Sequence, residues 1–164
     1  MASMEKSMVV DVPLRIAYDQ WTQFESFPKF MEGVKEVRQL DDKHLYWHAD
    51  VGGKDLTWNA EITEQLPDRR IAWHATSGAR NAGLVTFQPE GSDKTRVTLR
   101  LDYDPKGLTE NVGSAVGVPS RTIDGDLKRF KDYIESRQEP TGGWRGEIHG
   151  GHETKPGGKE KTSY

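Results

Sequence analysis

Apolar residues recur at steps of three, four and seven through Leu108, Val112, Val116, Ile123, Leu127, Phe130 and Ile134, which is the stripe of an amphipathic helix. Lys128, Arg129, Asp132, Glu135 and Arg137 fall off that stripe. Gly113 and Gly117 each cost a helix about 1 kcal/mol relative to alanine, and Pro119 removes a donor and turns Val118 away from helical geometry. The pattern predicts a short helix to about Val116, a break, and a longer helix from about Val118 to Arg137. A helix with one apolar stripe must bury it against a second layer.

The preceding chain supplies that layer. Met8, Val9, Val10 and Val12, closed by Pro13, predict a first strand over Lys6–Val12. Ile16, Ala17, Tyr18, Trp21 and Phe24 fit a short helix from Leu14 that Ser26, Phe27 and Pro28 break. Phe27, Phe30 and Met31 suit one further helical turn, ended by Gly33 before Val34 and Val37 open a strand. From His44 the period changes to two. Leu45, Trp47, Ala49 and Val51 alternate with His44, Tyr46, His48 and Asp50, as a half-buried strand requires. Gly52 and Gly53 turn the chain into Leu56, Trp58, Ala60 and Ile62, and Pro67 and Asp68 turn it into Ile71, Trp73 and Ala75. Val85 and Phe87, then Val97, Leu99, Leu101 and Tyr103, complete an antiparallel meander of seven strands counting the first. Trp47, Trp58, Trp73, Phe87 and Leu99 share the core-facing parity. The expected class is α+β: a curved seven-stranded antiparallel sheet around the long C-terminal helix, with two short helices after strand one.

Composition narrows the function. The 26 acidic and 23 basic residues are interspersed, for a net charge of −3, so no basic face points to nucleic acid or anionic lipid. Zero cysteines exclude disulfides, thiolate metal sites and thiol nucleophiles. With no signal-like start and no long apolar run, the cytoplasm is expected and stable membrane insertion is not. From Pro140 the chain turns glycine-rich and polar, which predicts a domain over residues 1–139 and a tail over 140–164, disordered from about Gly150. Trp144 and Ile148 are exceptions that would anchor Thr141 to Ile148 on the domain.

Val10-Asp-Val-Pro13 with Tyr18-Asp-Gln-Trp21, then Phe24-Glu-Ser-Phe-Pro-Lys-Phe-Met31, resembles the opening of the polyketide cyclase/dehydrase and coenzyme-Q-binding START-type proteins. Gly125-Asp-Leu-Lys-Arg-Phe-Lys-Asp-Tyr-Ile134 is similar to their terminal helix, and the resemblance spans about Lys6 to Arg137. It implies the helix-grip fold of the START-like and Bet v 1-like superfamily. It also implies a cavity between sheet and helix for a small hydrophobic molecule, aromatic or quinone-like, where some members cyclise or aromatise polyketides.

On that reading the ligand-binding candidates are Trp47, Trp58, Trp73, Phe87, Leu99 and Tyr103 from the sheet and Val116, Ser120, Ile123 and Leu127 from the helix. The same aromatic lining equally describes a filled core, because pockets and cores share their composition. A stress or interaction protein working through Trp144 and the tail therefore stands as an alternative. A cyclase stands as another, although inward polar groups are few: Tyr103, Asn111, Ser120, Arg121 and Asp124. His44, His48 and His74 carry the solvent-facing parity, His149 and His152 fall in the tail, and His44 and His48 lie about 13 Å apart along a strand. No metal or other cofactor is expected. Gly78-Ala-Arg-Asn-Ala-Gly83 lacks the ending of a phosphate loop and reads as a hairpin whose tip, Arg80 and Asn81, either lies exposed or covers a cavity mouth. Protein partners and oligomeric state leave no mark in the sequence.

Overall fold

The computed structural model describes residues 2–51, 53–103 and 118–154. The chain runs β1 (Ala2–Val10), α1 (Leu14–Trp21), a 3-10 helix (Phe24–Lys29), β2 (Val34–Gln39), β3 (His44–Val51), β4 (Lys54–Leu66), β5 (Arg70–Gly78), β6 (Asn81–Glu90) and β7 (Lys94–Tyr103). After these come α2 (Val118–Arg137), β8 (Glu147–His149) and β9 (His152–Thr154). The long strands form one antiparallel sheet in the order β1-β7-β6-β5-β4-β3-β2, curled into a half-barrel. The fold is the α+β arrangement of curved sheet and long helix that the periodicities predict, and it is consistent with the helix-grip fold that the resemblance implies. The short helix expected before Val116 lies outside the described residues.

Alternation of side chains builds the concave face. Leu45, Trp47 and Ala49 of β3, Ala60 and Ile62 of β4, Ile71 and Trp73 of β5, Val85 and Phe87 of β6, and Val97 and Leu99 of β7 are buried, and their sequence neighbours are not. The helix stripe joins the same core: Ile123, Leu127, Phe130 and Ile134 are all buried. Phe130 packs its ring 5.2 Å from Trp21 and 5.2 Å from Phe30, which ties α2 to α1 and the 3-10 segment.

Two boundaries differ from the sequence reading. β1 starts and ends earlier than Lys6–Val12, because its partner β7 runs on to Tyr103, opposite Ala2, and opens at Lys94, just beyond the Val10–Thr95 pair. Val12 leaves the ladder yet stays buried, with its carbonyl accepting from the Thr95 hydroxyl at 2.9 Å. The 3-10 helix occupies Phe24–Lys29, across the expected break. Pro28 has no N–H to give an α-helix, and the chain on either side of it takes i→i+3 bonds, Ser26 N to Gln23 O at 3.0 Å and Phe30 N to Phe27 O at 3.1 Å.

The glycine-rich end is the larger correction. The sequence predicts disorder from Gly150, but Gly150 and Gly151 turn β8 into β9, and the Gly151 N–H donates to Thr63 O at 2.8 Å; the rest of the expected tail, 155–164, lies outside the described residues. Ile148 of β8 pairs with Gln65 of β4. Ahead of that hairpin a strap crosses α1. The Gln20 side chain accepts from Thr141 N at 2.9 Å, Thr22 Oγ1 accepts from Trp144 N at 3.1 Å, and Trp144 and Ile148 are buried as anticipated. Arg145 donates to Asp19 at 2.6 Å and to Asp68 at 2.6 Å. Buried anchors and long-range hydrogen bonds thus order a segment whose composition alone would leave it loose. His149 and His152 face each other across this hairpin rather than lying in a free tail.

Candidate functional site

Three indoles line up on the concave face. Trp47 and Trp58 pair directly across β3 and β4, and their rings stack 5.7 Å apart and 9° from parallel. The Trp73 ring lies 6.4 Å from Trp47 at 16°, so Trp47 is the middle of a three-ring stack. Trp73 reaches this position by lying over Gly83 of β6, its cross-strand partner. A Cβ on Gly83 would sit 2.3 Å from the ring. Gly78, at φ +83°, ends β5 against β4 where a side chain would strike the Thr57 carbonyl.

A cavity of about 440 Å³ opens over this stack. Trp47, Trp58, Trp73, Leu99, Tyr103 and Ile123 of the expected set line it. Phe87 and Leu127 are instead buried within the continuous core, Phe87 with its ring 5.4 Å from Tyr18. Val116 and the Ser120 side chain lie outside the described residues. Arg80 and Asn81 do line the cavity at the β5–β6 turn, where Asn81 holds the turn through a 2.9 Å bond to Ala79 O. Met31 and Gly33, in the loop between the 3-10 helix and β2, complete the opposite side. That loop is fixed to the sheet, with Asp50 N donating to Gly33 O at 2.7 Å.

Polar groups around the cavity are few and mostly peripheral. Lys54 and Arg80 are the basic lining residues among those described, and Asp50, Asp102 and Asp126 the acidic ones. The Ser3 hydroxyl and Arg100 hold the Asp102 carboxyl below its ordinary range. Asp126 behaves in the opposite sense: burial raises its carboxyl, only partly offset by donors from Arg129 and the Glu32 backbone. The sequence reading passed over Asp126 in favour of Asp124, whose side chain is 60% exposed and pairs with Lys6 at 3.6 Å. The signal was present, since position 126 lies three after Ile123 and four before Phe130, inside the stripe. The indole nitrogens of Trp47 and Trp58 are buried and find no hydrogen-bond partner among the described residues.

The histidines sit on the outer surface. His44 bonds Asp41 at 2.9 Å, His48 bonds Asp55 at 2.8 Å, and His74 lies 3.5 Å from Glu61. Each is placed by an acidic neighbour on the same face.

A sheet gripping a long helix over an apolar, aromatic cavity defines a hydrophobic-ligand-binding fold. The chain belongs to the polyketide cyclase/dehydrase and lipid-transport family, whose profile matches residues 10–132. An uncharacterised 17.2 kDa protein encoded in the melC2–rnhH intergenic region of Streptomyces lincolnensis is 47% identical over 149 residues, covering 90% of this chain and 99% of that one. The Zhui aromatase/cyclase from Streptomyces sp. R1128 superposes with a TM-score of 0.70 at 18% identity, over 87% of this chain and 98% of that one. A START superfamily protein from Mycobacterium smegmatis gives a TM-score of 0.69 at 14% identity, over 82% and 98% of the two chains. At these identities the two structures share the fold. No described helix is long and apolar enough to cross a membrane.

Proposed function

We propose that the protein binds a small hydrophobic molecule, aromatic and bearing a carbonyl in the manner of a quinone or polyketide, in the cavity between sheet and α2. The observation that carries this reading is the 440 Å³ space lined by three near-parallel indoles. Its volume falls within the range of roughly 300 to 1,000 Å³ usual for small-molecule sites. Parallel indoles offer a flat face to a planar ring, and the unpartnered Trp47 and Trp58 N–H groups are donors for a carbonyl that reaches them. The space weighs against a filled core. A binder needs no further chemistry, whereas a cyclase needs acids or donors over a reactive carbonyl, and Asp126 is the one buried titratable side chain among the described lining residues.

Titration of the folded protein with 1,4-naphthoquinone should quench tryptophan fluorescence saturably and raise the melting temperature, because the ligand binds native protein alone. Trp58→Phe keeps a ring and removes one donor. It should weaken the quinone relative to naphthalene by about 0.5 to 1.5 kcal/mol, one hydrogen bond. Absence of saturable binding across quinones, polyketide-like phenols and fatty acids would refute the proposal.

A further inference from the structure

Asp126 occupies an unusual position for a carboxylate. It lies in the apolar stripe of α2 beside Ile123 and Leu127, its side chain is 12% exposed, and it lines the cavity. One oxygen is committed: Oδ1 accepts from the Glu32 backbone N–H at 3.1 Å and from Arg129 Nη2 at 2.5 Å. No bond reaches Oδ2 from the described residues. The Arg129 guanidinium is itself divided, donating through Nε to Phe30 O at 2.9 Å and lying 3.3 Å from the Glu32 carboxylate.

Charge around this carboxylate does not cancel. Arg129 faces both Asp126 and Glu32, leaving one negative charge in excess at the α2 side of the cavity. The remaining described charges on the lining, Lys54 and Arg80 against Asp50 and Asp102, balance one another, and Arg80 is exposed. A ligand carboxylate placed beside Asp126 would therefore lose its water and meet a like charge, while a hydroxyl there would donate to an ionised acceptor.

We propose that Asp126 sets the chemical class of the ligand, selecting neutral molecules that carry a hydroxyl donor and rejecting carboxylates. This rests on the cavity being the ligand site. It narrows the carbonyl-bearing aromatics of that reading to those that also carry a hydroxyl, and it sets aside fatty acids and aromatic acids.

Three probes of one shape decide the matter: 2-naphthol, 2-methoxynaphthalene and 2-naphthoate, titrated at pH 7.5 and followed by tryptophan fluorescence and calorimetry. In the wild-type protein 2-naphthol should bind about tenfold more tightly than the methyl ether, the effect of one hydrogen bond to a charged acceptor. The naphthoate should bind more weakly than either. Asp126→Asn keeps an acceptor for the Glu32 N–H and removes the charge, so it should strengthen naphthoate and narrow the naphthol advantage. Should that variant fail to fold, the wild-type ranking decides alone. Saturable binding of all three probes with equal affinity, or of naphthoate as tightly as naphthol, overturns the role of Asp126 and leaves the cavity reading standing. No saturable binding of any probe overturns the cavity reading, and this inference with it.

Discussion

Replacing Arg145 by alanine removes the cation that joins the C-terminal strap to two distant parts of the fold. Its guanidinium lies 2.6 Å from Asp19, 2.6 Å from Asp68 and 5.4 Å from the Tyr18 ring centroid. The two ion pairs are unequal. The Asp68 side chain is 33% exposed, so solvent screens that pair to about 0.5 to 1 kcal/mol. The Asp19 side chain has no exposed surface, and breaking a buried pair costs about 3 to 5 kcal/mol. Arg15, 3.6 Å from Asp19, and water entering the vacated space reduce this to about 2 kcal/mol. The contact with Tyr18 adds about 0.5 to 1 kcal/mol. The total is about 3 to 4 kcal/mol, a fall in melting temperature of about 6 to 16 °C for a chain of this size. Urea denaturation followed by circular dichroism measures it. In an Asp19→Asn background no buried charge is stranded, and the same substitution should cost only about 1 to 2 kcal/mol. A cost below about 1 kcal/mol in the wild-type background, or an equal cost in both, would refute the reasoning.

Other substitutions probe the core and the site. Phe130→Ala should destabilise by about 3 to 5 kcal/mol in chemical denaturation, because its fully buried ring leaves a cavity between Trp21 and Phe30, and a cost under about 1 kcal/mol would contradict the packing. Gly83→Ala forces the Trp73 ring off β6 and into the cavity. It should cost about 1 to 3 kcal/mol and weaken naphthoquinone binding, and unchanged melting together with unchanged fluorescence would show that the ring does not lie there. Asp126 has a carboxyl raised by burial in the folded state, so the native protein holds that proton more tightly than the unfolded chain. Its contribution to stability is therefore unfavourable at neutral pH and is relieved as pH falls through the raised value. Wild-type protein should gain stability relative to Asp126→Asn as pH falls from neutral toward the ordinary aspartate range, and a gap that widens in the variant's favour would reverse the sign.

The sheet was legible because the sequence writes it at period two. Each strand from β3 to β5 carries its tryptophan on the parity that faces the helix, and the long helix begins at Val118, where Pro119 tolerates a first turn and nothing later. The strap was half legible. Trp144 and Ile148 stood out as apolar residues in a polar segment, but the side chains that receive the strap, Asp19, Gln20 and Thr22, lie more than 100 residues away and look like ordinary helix-surface groups in sequence. Asp126 escaped notice for a related reason. A single carboxylate inside an apolar stripe reads as an interruption until its partners are seen, and one of them is a backbone N–H at Glu32 that no side-chain pattern announces.

Pairing β1 with β7 has a kinetic consequence for a chain made from its N-terminus. Ala2 meets Tyr103 and Val10 meets Thr95, so the first strand has no ladder until nearly the whole meander has been synthesised. The buried carboxylate of Asp19 waits longer still for Arg145, 126 residues later. At about 5 to 20 residues per second that interval is about 6 to 25 s, so this ion pair closes after the meander to which β1 belongs has been made. Refolding of the finished chain meets the same contacts as a loop-closure problem, and their sequence separation places it with the slow, non-local β topologies rather than with the helical fast folders.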